Sequence, residues 1–271
     1  MSFTKRLDEA RKAYAKRDKE ATAAAHTPEQ IAQAVKEAPE EHGGAGSQYI
    51  GDLVYGGLDG IITTFAVVSG VSGADLGTGI ILILGLANLL ADGFSMATGA
   101  YLSAKSEQEY YDQERKRELW EVKHFPDGER VELHEIYRQK GYSAEEAQQL
   151  VTIESRDKER WVDAMMIDEL GLMEDDRNPL LNGLATLIAF IVAGAVPLLV
   201  YLVSLTVSIS PDVAFPISVA LSGLALFGLG AAKVLVTRQN PFKSGLEMLL
   251  VGGLAAGVAY GVGALLKGLG G

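Results

Sequence analysis

GDLVYGGLDGIITTFAVVSGVSGA, residues 51–74, and LGLANLLADGFSMATGAYLSAKSE, residues 84–107, decide the fold. Each is apolar and long enough to cross a bilayer, whose hydrocarbon core takes about 20 helical residues. Each also holds an aspartate deep in its apolar run, Asp59 in the first and Asp92 in the second. A carboxylate at membrane depth costs roughly 2.5 to 3.5 kcal/mol on insertion scales, so it faces a bundle interior and marks an ion or proton path. In the second stretch Asn88, Asp92 and Met96 recur at four-residue intervals, which sets carboxamide, carboxylate and thioether on one helical face. Met96 taken alone reads as core filler; aligned with Asp92 and opposite Asp59 it becomes a soft ligand. Thr63, Thr64 and Ser95 either add weak oxygen contacts or bond the preceding helical turn. Two carboxylates close together in low dielectric repel, so one should hold a proton when no metal is bound. Arrival of a divalent cation then expels protons, a physical basis for cation–proton exchange.

Working outward, the apolar segments number five: 52–73, 77–103, 180–207, 213–235 and 245–267. Pro197 predicts a kink in the third, and Ser210-Pro211-Asp212 reads as the turn that ends it. Gly253, Gly257 and Gly261 repeat at four-residue spacing, which permits close helix approach, either within the chain or at a dimer seam. Lysine and arginine gather in cytoplasmic loops. The loops around VSGADLG and SISPDV carry none, whereas the fourth-to-fifth connection carries Lys233, Arg238 and Lys243. The N-terminus, the long polar insert and that connection are therefore expected in the cytoplasm, and the C-terminus on the other side.

The charge is segregated. Residues 105–177 hold 21 of the 35 acids and 12 of the 24 bases; residues 178–271 hold two acids and four bases. A net charge of −11 excludes a nucleic-acid partner that depends on a basic surface. The absence of cysteine removes disulfides, thiolate metal sites and a cysteine nucleophile, leaving oxygen, imidazole and thioether ligands. MSFTKRLDEARKAYAKRDKE lacks the apolar stretch of a secretory signal, so the first span is expected to direct insertion. The divisions are a charged N-terminal extension (1–47), two spans (48–104), the polar insert (105–177) and three spans (178–271). Residues 1–47 read as one or two solvated helices ending in the breaker run EEHGGAGS.

The insert reads as three helices, about 104–123, 128–140 and 143–171, with Ser143 and Glu146 at capping-box spacing. On the first, Glu107, Glu114, Glu118 and Glu121 share a face, and on the second Glu129 and Glu132 stand one turn apart. Like charges at those spacings repel unless solvated or neutralised by a cation, which a divalent metal supplies. On the third helix Met165 and Glu169 lie at i, i+4, and a thioether beside carboxylates shifts preference from hard ions towards ferrous iron. His124 and His134 are further possible ligands, although a lone histidine on a polar helix is more often a surface residue.

The runs GGLDGIITTFAVVSGVSGA, ANLLADGFSMATGAYLSAKSE and RWVDAMMIDELGL together resemble the vacuolar iron transporter family, over about residues 50–268. The resemblance implies an all-α integral membrane protein with five spans per subunit, a homodimer, and a three-helix cytoplasmic metal-binding domain between spans two and three. It implies movement of ferrous iron, and often manganese, out of the cytoplasm in exchange for protons. Carried over by position, the domain ligands are Glu118, Glu121, Glu129, Glu132, Met165 and Glu169, and the pore residues Asp59 and Met96. Where plant members carry a glutamate on span two, this chain has Asn88, with Asp92 one turn later.

The expectation is a transporter, not an enzyme, with Fe2+ or Mn2+ as substrate ion, no prosthetic group, and metal ions, protons, the bilayer and a second copy as partners. The membrane is the plasma membrane in a prokaryote or the vacuolar membrane in a eukaryote. The competing class is a membrane-anchored iron store or ferroxidase, in which residues 105–177 act and the spans only anchor. Anchors do not need buried carboxylates.

Overall fold

The computed structural model describes residues 12, 13, 16–24, 27, 28, 49–233 and 240–269. Its helices are α1 (Lys19–Ala24), α2 (Ile50–Gly73), α3 (Thr78–His124), α4 (Pro126–Gln139), α5 (Ala144–Glu154), α6 (Lys158–Asp168), α7 (Pro179–Gly194), α8 (Leu199–Val203), α9 (Pro211–Ala232) and α10 (Pro241–Leu266). No strand occurs among the described residues. Of the solvated helices expected in residues 1–47 the short α1 is described, together with helical residues at 12, 13, 16 and 28. The rest of that reading, like Arg238, lies outside the described residues.

Five stretches are long and apolar enough to cross a membrane: Gly51–Gly73, Thr78–His124, Pro179–Val203, Pro211–Ala232 and Pro241–Leu266. The central one is α2, which packs against α3, α7, α9 and α10. Missing side chains make that closeness possible. A Cβ on Gly56 would sit 2.8 Å from the carbonyl of Thr186, one on Gly60 would run into the carbonyl of Phe190, and one on Gly183 would lie 2.8 Å from the carbonyl of Ala97. These pairings run α2 and α7 in the same direction and α3 against both. Gly263 meets Gly70, and Gly230 meets Ser244 and Gly245, so α10 runs with α2 and α9 against it. The start of α2, the polar half of α3, helices α4–α6 and the ends of the α9–α10 connection therefore share one side of the bundle. On the opposite side Lys267 Nζ lies 2.8 Å from Asp75, tying the last turn of the chain to the α2–α3 loop.

Both helices that re-enter the bundle from the insert side begin with Asn-Pro. Asn178 accepts from the amides of Leu180 and Leu181, and Asn240 from those of Phe242 and Lys243. Each proline sits at the first helical position, where its missing N–H costs nothing. Pro197 does break the third span: α7 ends at Gly194, a 3-10 turn covers Val196–Leu198, and α8 resumes for five residues. Ser210-Pro211-Asp212 plays a different part from the one expected, because α8 ends at Val203 and Ser210 is the N-terminal boundary residue of α9. Among the described residues a Cβ placed on Gly253, Gly257 or Gly261 would meet nothing within 4 Å, so that stripe packs against none of them; Gly252 and Gly263 carry close approaches of α10 instead.

The insert departs from three separate helices in two places. Its first helix is continuous with the second span: α3 has 47 residues, about 70 Å at 1.5 Å per residue, and passes from the membrane into water without a break. It stops at Phe125 because Pro126 starts the next helix. The expected third helix is divided at Ser155–Asp157, where the Asp157 carboxylate accepts from the amide of Arg160 and opens α6. The Ser143–Glu146 capping box is present in both directions, at 3.3 and 2.8 Å. Val122, Leu133, Tyr137, Ala147, Val151, Trp161, Val162, Met165 and Met166 form the insert's own core.

Candidate functional site

Two clusters of carboxylates stand along α3, one at each end of the path the sequence suggests. In the bundle, Asp59 on α2 and Asp92 on α3 lie within electrostatic reach of one another, both half-buried. Thr63 Oγ1 donates to the Asp59 carbonyl at 2.9 Å, so its hydroxyl serves the preceding turn. Thr64 is fully buried with an unpartnered Oγ1, and Ser95 is exposed. Asn88 Nδ2 is buried without a partner one turn from Asp92, and Met96 packs partly against the bundle core. The spanning segments 51–73 and 78–103 contain no lysine or arginine. The carboxylates there have only protons or a bound cation to neutralise them.

In the insert, Glu118 on α3 is fully buried and Glu129 on α4 is buried to 7% exposure. Burial is the first cause that pushes both carboxyls up to about 7, and neighbouring glutamates are the second: chiefly Glu169 for Glu118, and Glu121 with Glu132 for Glu129. Glu169 follows the last turn of α6 and its residue is exposed as a whole. Its carboxyl is nevertheless raised, first by the protein packed about it and then by Glu132 and Glu121. Five of the six expected ligands, Glu118, Glu121, Glu129, Glu132 and Glu169, thus feel one another. Met165 is placed differently, fully buried in the insert's apolar core.

A cation already stands among these glutamates. Arg117 places Nε 2.9 Å from Glu114, one terminal nitrogen 2.8 Å from Glu121 and the other 2.7 Å from Glu118. The last pair is close but misaligned, and both Glu118 carboxylate oxygens lack a hydrogen bond. Among the described residues no three histidine, aspartate or glutamate side chains are close enough to enclose one ion. The carboxylates are gathered around an arginine, not into a finished cage. His124 stacks on Trp120 with ring centroids 4.6 Å apart and bonds its carbonyl, and His134 bonds the carbonyl of Ala144. Both are engaged locally.

Sequence reasoning passed over Arg117, although its i+1, i−3 and i+4 neighbours are glutamates. It also passed over Asp52, two turns before Asp59 on the same face of α2. The signal for both was present in the spacing.

Comparison with known proteins follows this geometry. The VIT family model matches residues 50–264. A vacuolar iron transporter of Toxoplasma gondii is 42% identical over 267 residues, covering 96% of this chain and 88% of that protein. Vacuolar iron transporter 1 of Eucalyptus grandis is 37% identical over 82% of this chain and 88% of its own length, and the vacuolar iron transporter of Plasmodium falciparum 36% over 79% and 81%. Because only 4% of the chain falls outside the Toxoplasma match, that match runs into residues 1–47, beyond the motifs at 50–268.

Proposed function

Because the chain belongs to the VIT family, we propose that this metal transporter carries ferrous iron, and manganese as a second substrate, out of the cytoplasm in exchange for protons. The observation that carries the reading is the pair Asp59 and Asp92 on adjacent helices of a bundle whose first two spans hold no basic residue. The insert gathers the ion with Glu118, Glu121, Glu129, Glu132 and Glu169, and Met165 offers a thioether from the core beneath them. The ion then passes down the α2–α3 face along Met96, Asp92, Asn88 and Asp59.

Proton exchange has a physical source at both ends. Carboxyls raised to about 7 are partly protonated at neutral pH, so a cation that binds Glu118 and Glu129 releases protons. The shared side of the insert, the start of α2 and the α9–α10 connection supports a cytoplasmic placement, with Lys243 just inside α10 on that side. The stripe Gly253, Gly257 and Gly261, open within the chain, supports a second copy packing on α10. A vacuolar-type membrane is the location that the names of the relatives support.

Purified protein in liposomes, loaded with a fluorescent iron reporter inside, tests the reading. Fe2+ uptake that rises with an imposed pH gradient at clamped membrane potential is the expected result. Metal bound to the protein without any delivered to the lumen would leave a membrane-anchored store as the function.

A further inference from the structure

Between the insert and the membrane aspartates, a cavity of about 370 Å3 opens among the start of α2, the middle of α3 and the start of α7. Its wall includes Asp52, Met96, Glu107, Arg177 and Asn182. Asn182 is only 4% exposed and its Oδ1 has no partner; Asp52 Oδ2 is buried and has none either. Two acceptor oxygens from different helices thus face one space unsatisfied, a costly arrangement in an apolar bundle.

The donors nearby are committed elsewhere. Arg177 makes a two-pronged pair with Asp175 at 2.7–3.0 Å and stays 3.9 Å from Glu107. Gln108 Nε2 is spent on the carbonyls of Asp175 and Arg177, at 2.9 and 2.6 Å. Ser103 donates to Glu107 at 3.1 Å, and Thr186 to the Asn182 carbonyl at 2.9 Å. What is left is a set of acceptors: two carboxylates, a carboxamide oxygen and a thioether.

We propose that this cavity is a divalent-cation site, an antechamber where Asp52, Asn182 and Glu107, with Met96 as the soft ligand, receive the ion between the insert and Asp59. Carboxylate and carboxamide oxygens with one thioether suit a first-row divalent ion such as Mn2+ or Fe2+. The position agrees with such a stop. Asp52 lies seven residues before Asp59 on one face of α2, about 10 Å along the axis, and Met96 is one turn from Asp92 on α3. Arg177, held by Asp175, lines the same cavity and acts electrostatically on Asp52 and Glu107, balancing part of their charge until a cation arrives. The antechamber role rests on the transport reading given above; the cation site does not.

Mn2+ titration of the full-length protein in lipid nanodiscs, followed by the electron paramagnetic resonance signal of free Mn2+, tests the site. Asn182→Ala and Asp52→Asn are expected to lose one Mn2+ equivalent or weaken it by about 10-fold or more, whereas Asn182→Asp, which adds a charge, tightens it. If both Asn182 variants titrate like the unsubstituted protein, the orphan oxygens hold water and the proposal is overturned. A manganese anomalous-scattering map of the unsubstituted protein guards against misfolded variants: a peak in the cavity supports the site, and manganese at the insert with none here removes it. Parallel liposome uptake separates the two readings. A confirmed site in a protein that moves no metal refutes transport alone, and uptake without a cavity site refutes the antechamber alone.

Discussion

The two carboxylate clusters on α3 use the same chemistry in opposite electrostatic settings. In the insert, Glu114, Glu118 and Glu121 share the Arg117 guanidinium, and water reaches part of the group. In the bundle, Asp59 and Asp92 lie within electrostatic reach of one another, and segments 51–73 and 78–103 contain no lysine or arginine. On the proposed function, a metal reaching the insert displaces an arginine from its carboxylates, a modest change in charge. The bundle pair has no such arginine to displace. On the same proposal, that difference makes the insert the capture site and the bundle pair the coupling site.

The largest break in that contrast comes from Asp59→Asn. Fe2+ uptake into liposomes should fall by about 100-fold or more, while metal titration of the insert glutamates stays unchanged. Comparable uptake by this variant would move the coupling site elsewhere. Next in size, Glu118→Gln should weaken metal binding at the insert by about 10- to 100-fold, as loss of a buried charged ligand does. It should lower transport only where metal is scarce; an equal loss of uptake at saturating metal would merge the two clusters into one site.

Acidity sharpens the same comparison. With folded-state carboxyls near 7 against ordinary values near 4.5, the folded insert binds more protons than the unfolded chain between those limits. Metal-free stability of the insert should therefore rise as pH falls from about 7 towards 5, and its metal affinity should fall over the same range. Thermal melts and calorimetric titrations across that window check both signs. The smallest effect is expected for Arg117→Gln, which removes the competing cation. Metal should bind a few-fold tighter to the insert, on the order of 0.5–1 kcal/mol, with liposome uptake at saturating metal unchanged.

Much of this was legible in the sequence because membranes impose coarse rules. Five apolar runs predicted five spans, and Asp59 and Asp92 stood out since almost nothing else charged lies in their runs. Pro197 and the Ser143–Glu146 cap spoke through local backbone chemistry. The continuity of α3 was hidden by the same hydropathy that revealed the span. Polarity changes at Lys105, but helix formation does not depend on polarity, and no breaker intervenes before Pro126. The interruption at Ser155–Asp157 sits in a run with good helical character, where only the capping habit of aspartate hints at it. Met165 shares a face with Glu169 by spacing, yet its burial beside Trp161 is a matter of packing among four helices. Asn182 was beyond reach altogether, because its relation to Asp52 joins helices 130 positions apart in the chain.

The unbroken α3 has a mechanical meaning. Met96 and Glu118 are 22 positions apart on one continuous helix, roughly 33 Å at 1.5 Å per residue, with Gly99 the one glycine and no proline between them. A helix of this kind transmits rotation as a rod does, so a tilt of about 5° imposed at the insert displaces the Met96 turn by roughly 3 Å, the scale of a metal–ligand bond. On the proposed function, filling or emptying the glutamate cluster would act on the passage beside Asp92 through leverage, without any signal passing residue by residue.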